Sequence, residues 1–203
     1  MVKQNVTASP VGSTRERLLA VAEKVFYREG FHAVGLDRIL AEVGLTKTTF
    51  YNPFESKDAL IVAVLAARDV WWRSTFGARL RERAGDDPAA QLRAVFDVLD
   101  EFTAAEHFNG CLFVNVSVEF PAPHTPAHRA AAEHKSLMDL LLRDLALRAG
   151  AHDPIALAEE IALLMEGSHV TRQVTGNREA AAIGRRAAAI LIDAQLGPAA
   201  RQP

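Results

Sequence analysis

The chain has 203 residues, of which 49% are hydrophobic, so it can bury a substantial core. Its formal net charge is −2 and its single cysteine is Cys111, which excludes an internal disulfide framework. No run of 18 apolar residues occurs, so we expect no membrane span and a cytoplasmic protein. Residues 1–57 carry eight Lys/Arg and six Asp/Glu, whereas residues 58–203 carry fifteen and nineteen. This asymmetry is a weak indication of a polyanionic partner for the first part.

Helix signals begin close to the N-terminus. Residues 1–12 lack an apolar signal core and are expected to form a disordered arm. Ser13 and Glu16 have the spacing of a capping box, which predicts the start of a first helix that ends at Gly30. A second, short helix is predicted over 36–43.

A glycine turn leads into a third helix. Gly44 breaks the second helix, and Thr46 can cap a helix over 47–52 that Pro53 then ends. Ser56 caps a long fourth helix. Later helices start after cap–proline pairs, and the last one is predicted from Asn177. The pairs are Asp87-Pro88, Thr125-Pro126 and Asp153-Pro154. The pattern predicts an all-α fold of about nine helices.

One segment has the pattern of a strand. Residues 114–118 alternate apolar and polar side chains, which is typical of a half-buried strand. A single strand in a helical chain would have no partner for its backbone, so we predict a helix over 110–120. That helix would be apolar nearly all round and therefore buried, with Asn115 and Glu119 on one face.

Two short helices on either side of Gly44 form a helix–turn–helix pattern. Polar and aromatic side chains cluster on its second helix: Lys47, Thr48, Thr49, Tyr51 and Asn52. Such groups bind phosphate oxygens and base edges, and Lys57 adds charge at the start of the next helix. The pattern therefore predicts DNA binding, although a polar surface turn is an alternative.

A dense motif follows the glycine turn. Its residues are Gly44, Leu45, Thr46, Lys47, Phe50, Tyr51, Phe54, Ser56, Lys57 and Leu60. With this motif, the stretch 14–61 resembles the TetR family of transcriptional regulators. The resemblance implies base recognition by residues 46–52, with phosphate contacts from Tyr51 and Lys57.

The resemblance also implies the organisation of the whole chain. Residues 1–57 would be the DNA-binding domain, and residues 58–203 would be the ligand-binding and dimerisation domain. The expected function is that of a transcriptional regulator, and specifically a repressor. It would bind a palindromic double-stranded DNA operator as a homodimer. A small-molecule effector would modulate it, without enzymatic activity or a cofactor.

Three positions depart from the family pattern. Pro53 stands where the family often has His or Tyr, and Gly35 stands where Thr often caps the second helix. Asp37 lies where a base or phosphate contact is often made. Because Asp repels phosphate, we expect Arg38 to make that contact instead.

Two apolar stripes near the C-terminus predict a dimer interface. One consists of Ile155, Ala158, Ile161, Ala162 and Met165, and the other of Ile183, Ala187, Ile190, Leu191 and Ala194. Small residues allow helices to approach closely, so we predict a two-fold, four-helix interface. The alternative is that both stripes pack only within their own chain.

Aromatic side chains of the larger part are candidates to line an effector cavity. They are Trp72, Phe76, Phe102 and Phe113, and the candidate polar groups are Asn115, Glu119, His134 and His169. Pockets are mainly apolar with few polar groups, which predicts an apolar or aromatic effector. The alternatives are core packing, satisfied core histidines and structural hydrogen bonds of Asn115 and Glu119.

Other chemistry has less support. His124 and His128 have the spacing of a metal clip but are more often solvent-facing, and Glu166 with His169 is half of a di-iron motif pair. Cys111 is either a redox sensor at a helix start or a small hydrophobe. We expect no metal site. A helical-bundle carrier or enzyme without DNA binding is the alternative function.

Overall fold

The computed structural model describes residues 12–105 and 108–197. Within these ranges the chain forms nine α-helices and no strand, which confirms the all-α prediction. The helices are α1 (Thr14–Glu29), α2 (Leu36–Val43), α3 (Lys47–Tyr51), α4 (Lys57–Ala84), α5 (Pro88–Thr103), α6 (Leu112–Glu119), α7 (Pro126–Arg148), α8 (Pro154–Thr175) and α9 (Ala180–Leu196). Of the predicted N-terminal arm, residues 1–11 lie outside the described residues.

The helix starts follow local capping chemistry. Ser13 Oγ accepts a hydrogen bond from the Glu16 backbone, and Glu16 accepts one from the Ser13 backbone, so the capping box is confirmed. Asp87, Thr125 and Asp153 each cap a helix with a proline in its first turn, as predicted.

The chain divides into two compact units, with the boundary inside α4 between Val64 and Leu65. The first unit contains α1, α2 and α3 around a small apolar core. Phe26 and Phe31 stack there with ring centroids 5.1 Å apart, and both are buried together with Ile39 and Phe50. The Arg17 guanidinium donates to the Val43 carbonyl at 3.0 Å and so joins α1 to the end of α2.

The second unit is a helical bundle. In it α8 packs against α7 and α9, α5 packs against α7 and α9, and α6 packs against α7. Its core contains Phe76, Phe96, Leu142 and Ile161, all buried. Of the helices in the described ranges, none combines the length and apolarity that a membrane crossing requires.

Two local predictions are corrected by the structure. The last helix starts at Ala180 rather than Asn177, because the Asn177 side chain accepts a hydrogen bond from the Glu179 backbone at 2.9 Å and forms a local turn instead. The segment after Cys111 is helical as predicted, but it is not buried all round. Phe113 and Val116 face the core, whereas Val118 on the other side is 73% exposed.

Candidate nucleic-acid interface and effector site

The helix–turn–helix in the first unit is built from α2 and α3. Gly44 ends α2 with φ 73°, a left-handed conformation that favours glycine, and its N–H bonds the Leu40 carbonyl. Thr46 then caps α3 by accepting from the Thr49 backbone at 3.3 Å. The two hydroxyls of Thr46 and Thr49 also lie 3.0 Å apart. These two side chains therefore fix the start of α3.

The side chains of α3 divide into a buried and an exposed set. Phe50 is fully buried and meets Tyr51 edge-on, with centroids 5.2 Å apart. Tyr51 itself is 55% exposed, and Lys47, Thr48 and Asn52 are exposed beside it. The predicted recognition residues thus share the solvent side of a short helix that Phe50 anchors.

The cations of α2 and α3 are paired with carboxylates. Lys47 Nζ lies 2.9 Å from Asp37 Oδ1, and this hydrogen bond raises the pKa of Lys47. The Arg38 guanidinium, predicted to contact DNA, binds Glu42 and also lies 3.4 Å from Glu29. Lys47 and Arg38, both predicted to contact DNA, therefore each form an ion pair with a carboxylate in the DNA-free chain.

Lys57 starts α4, one residue after its cap. Ser56 Oγ accepts from the Ala59 backbone at 3.0 Å, as the sequence predicted. Lys57 is half-buried and lies in the first turn of α4, where helix dipole and N–H groups favour anions.

In the second unit, five of the predicted effector residues form one cluster of rings. Trp72 stacks on Phe76 at 4.5 Å between centroids and lies 5.5 Å from Phe102. His134 stacks on Phe113 at 3.6 Å and meets Trp72 edge-on at 5.8 Å. The cluster, which we call the ring cluster, draws these five residues from α4, α5, α6 and α7.

Asp69 and Arg73, which the sequence analysis did not select, form hydrogen bonds beside the ring cluster. His134 Nδ1 lies 2.7 Å from Asp69 Oδ1, and Arg73 donates to the same carboxylate at 2.7–3.0 Å. Burial raises the pKa of Asp69, but the hydrogen bonds from Arg73 and His134 outweigh this and lower it. Burial lowers the pKa of His134 to about 4, so its imidazole is neutral at pH 7 and donates from Nδ1. The i, i+4 spacing of Asp69 and Arg73 was the signal in the sequence.

The other predicted histidine of the effector site is His169. It stacks on Phe108 with centroids 6.0 Å apart, and burial lowers its pKa to about 4. Within the described ranges its buried Nδ1 makes no hydrogen bond. Nearby charge comes from Lys135, which binds Glu166 and whose Nζ lies 3.6 Å from the Cys111 sulfur. Burial alone would lower the pKa of Lys135, but Cys111 and Glu166 raise it.

Asn115 has structural partners. Its amide donates to the Asn109 carbonyl at 2.8 Å, and its oxygen accepts from Gln173 at 3.3 Å. Gln173 also donates to the Asn109 carbonyl at 3.3 Å. These contacts support the structural alternative for Asn115, while Glu119 is half-buried at the end of α6.

The two predicted interface stripes differ in their placement. Ala158, Ile161 and Met165 are buried in the core of their own chain, so that part of the prediction is wrong. Of the other two residues in this stripe, Ile155 is exposed and Ala162 is half-buried. The stripe of α9 points outward as predicted: Ile183, Ile190 and Ala194 are exposed, and Ala187 and Leu191 are half-buried.

Besides Ile155, the exposed large apolar residues of α8 are ones that the sequence prediction did not include. Leu163, Val170 and Val174 are 74%, 44% and 75% exposed. The sequence alone did not distinguish the two sides, because α8 carries apolar residues on both of them.

The structure gives no support to the metal-binding alternatives. In the described part of the chain, no group of three His, Cys, Asp or Glu side chains is placed to hold a metal ion. His128, one half of the suggested clip, uses Nδ1 to contact the Phe120 carbonyl at 2.8 Å.

A helix–turn–helix unit followed by a larger helical bundle defines a class of bacterial transcriptional regulator, and the comparisons with known proteins agree. The profile "Bacterial regulatory proteins, tetR family" matches residues 18–64, and "Tetracyclin repressor-like, C-terminal domain" matches residues 88–188. The crystal structure of SCO4454, a TetR-family transcriptional regulator from Streptomyces coelicolor, superposes with a TM-score of 0.83 at 30% identity. It covers 90% of this chain and 95% of that one.

Two relatives are also similar to this chain in sequence. The HTH-type transcriptional repressor NemR of Escherichia coli K12 is 31% identical over 106 residues, 52% of this chain and 53% of NemR, so the match spans about half of each. The transcriptional regulator AcuR of Cereibacter sphaeroides is 30% identical over 152 residues, 69% of this chain and 67% of AcuR. The chain therefore belongs to the TetR family of bacterial regulatory proteins.

Proposed function

We propose that this protein is a cytoplasmic, ligand-responsive transcriptional repressor that binds a palindromic DNA operator as a homodimer. The observation that carries the proposal is the exposed side of α3, where Lys47, Thr48, Tyr51 and Asn52 stand on a helix anchored by Phe50. The similarity to NemR, which is described as a repressor, supports repression as the mode.

In the proposed complex α3 enters the major groove. Lys47 and Thr48, at its N-terminal end, face base edges, because the first residues of a recognition helix reach the groove floor. Tyr51 and Lys57 bind phosphates, which position the protein without reading sequence. Two such units in a dimer bind half-sites about 34 Å apart, one helical turn of DNA.

The proposed effector site is the ring cluster in the second unit. Its side chains are mainly aromatic, and it contains one neutral imidazole, so it suits an apolar or aromatic molecule. The effector controls DNA binding only if it binds two conformations of the second unit with different affinity.

The proposed function is tested by selecting bound fragments from genomic DNA and measuring their affinity at several salt concentrations. Tyr51→Phe and Lys57→Ala should weaken binding to all duplexes alike, and Lys57→Ala should also reduce its salt dependence. Lys47→Ala and Thr48→Val should instead change which sequence is preferred. An absence of binding to duplex DNA would favour the alternative, a helical-bundle carrier or enzyme that uses the ring cluster and does not bind DNA.

A further inference from the structure

The charge on the helix–turn–helix unit is balanced rather than basic. The described residues from 12 to 64 contain seven Lys/Arg and seven Asp/Glu. On α2 and α3 the balance is local, because Lys47 lies 2.9 Å from Asp37, and Arg38 binds Glu42. A surface that binds any DNA tightly would instead present unpaired cations.

The pair of Lys47 and Asp37 joins the two helices of the motif. Asp37 lies in the first turn of α2, and Lys47 is the first residue of α3. Both side chains are largely exposed, at 76% and 63%, so the pair is accessible to a docking duplex. Any DNA that uses Lys47 must compete with this carboxylate.

We propose that Asp37 is a specificity-determining residue that suppresses binding to non-operator DNA by holding Lys47. This inference rests on the proposed function. On random DNA, Lys47 can gain only a phosphate, and it leaves the Asp37 carboxylate facing a polyanion. On the operator, Lys47 gains acceptors of a base edge, such as guanine O6 and N7, which offset the loss of its ion pair. Repulsion built against the wrong partner is a common source of specificity.

The test compares two duplexes, a random-sequence duplex and a fragment selected by the wild-type protein. Asp37→Asn should tighten binding to the random duplex about two- to fivefold, the range that an exposed ion pair is worth. The log–log dependence of that binding on salt should become steeper by about 0.9 for each protomer, because one more cation then displaces counterions. Affinity for the selected fragment should change less, so the ratio of the two affinities falls.

A double-mutant cycle assigns the effect to the pair. In a Lys47→Ala background, Asp37→Asn should tighten binding to random DNA less than in the wild-type background, because only the repulsion between the carboxylate and the phosphates is then relieved. Asp144→Asn is the charge-matched control, because Asp144 is an exposed carboxylate that pairs with Arg148 on α7 in the second unit. This control should match wild type on both duplexes. Melting is measured in parallel, because a carboxylate in the first turn also stabilises α2.

Three outcomes would overturn the inference. Asp37→Asn could weaken binding to both duplexes in a protein with normal melting, which would make Asp37 a DNA contact. Its effect could persist at full size without Lys47, which would make it an effect of net charge. Or the ratio of affinities could stay unchanged. Failure of the wild-type protein to prefer any fragment is a different result, since it would overturn the proposed function itself.

Discussion

The imidazole of His134 lies face to face with the ring of Phe113, with centroids 3.6 Å apart and planes inclined by 10°. The same imidazole binds Asp69 on α4 at 2.7 Å. One buried neutral histidine therefore joins α7 to both α6 and α4. Protonation of this ring would bury a charge away from water, so the contact depends on pH.

We expect the protein to lose stability as the pH falls from 6.5 towards 4. Burial lowers the pKa values of both His134 and His169 to about 4, so the unfolded chain takes up these protons first. The stabilising contribution is complete above pH 6.5 and is lost as the pH falls to the folded-state values, on the order of 3 kcal/mol for each ring. Asp69 adds a further loss of stability at lower pH, because its pKa is lowered from 3.8 and its carboxylate must then be protonated.

Denaturant unfolding at several pH values measures this loss. The slope of stability against pH should flatten in His134→Gln and in His169→Gln, whatever their absolute stability. His152→Gln is the control, since His152 is exposed, and it should keep the wild-type slope. Equal slopes in all four proteins would show that the buried rings do not titrate in this window.

The connection before α6 should be stabilised by Asn115 and Gln173. Both side chains contact the Asn109 carbonyl and each other. Asn115→Leu should therefore lower the free energy of unfolding by about 0.5–1.5 kcal/mol for each lost hydrogen bond. In a DNA-release titration with an aromatic effector, the midpoint should match wild type. A shifted midpoint in folded Asn115→Leu would instead make Asn115 an effector contact.

The starts of most helices could be predicted from the sequence because capping is local. Ser13 with Glu16 and Asp87 with its following proline act within three residues, so no tertiary knowledge is needed. The orientation of α8 could not be predicted in this way. Ile161 and Leu163 are both apolar, and only packing against α7 and α9 decides which of them is buried.

The candidate effector site was predictable in part. Aromatic residues are candidates by type alone, and five predicted residues meet in the ring cluster. Asp69 was missed because its partner His134 lies 65 residues away, and a sequence pattern has no means of joining them. The pairing of Lys47 with Asp37 was missed for the same reason, since it depends on the angle between two helices.

Gly184 is expected to be required for the packing of α9. A Cβ there would lie 2.4 Å from a ring carbon of Phe96 and 2.7 Å from the Ser168 hydroxyl. Gly184→Ala should destabilise by about 1–3 kcal/mol through overpacking, against the better helix propensity of alanine. Gly77→Ala on α4 is the control, because its Cβ would meet only the end of Arg81 at 3.7 Å. This control should gain about 0.5–1 kcal/mol in thermal or denaturant unfolding. A stabilised Gly184→Ala would contradict the close contact.

The exposed apolar residues of α8 and α9 are predicted to form the dimer interface. Leu163, Val170 and Val174 have the spacing i, i+7 and i+11, which places them on one side of α8. Ile183, Ile190 and Ala194 repeat the same spacing on α9. Leu163 and Ile190 are 74% and 72% exposed in the single chain, so both stripes have apolar area to bury against a second copy.

Leu163→Lys and Ile190→Lys should therefore convert the dimer to a folded monomer. Both positions are exposed, so neither change disturbs the core, and at a two-fold interface each places like charges on facing subunits. Sedimentation at micromolar concentration measures the assembly, and circular dichroism checks that the helices persist. Val118→Lys, at a position 73% exposed on α6, is the matched control and should stay dimeric. The monomeric variants should also bind a palindromic fragment less tightly, because one subunit reaches only one half-site. A wild-type monomer, or a Leu163→Lys dimer of normal strength, would show that these stripes are not the interface.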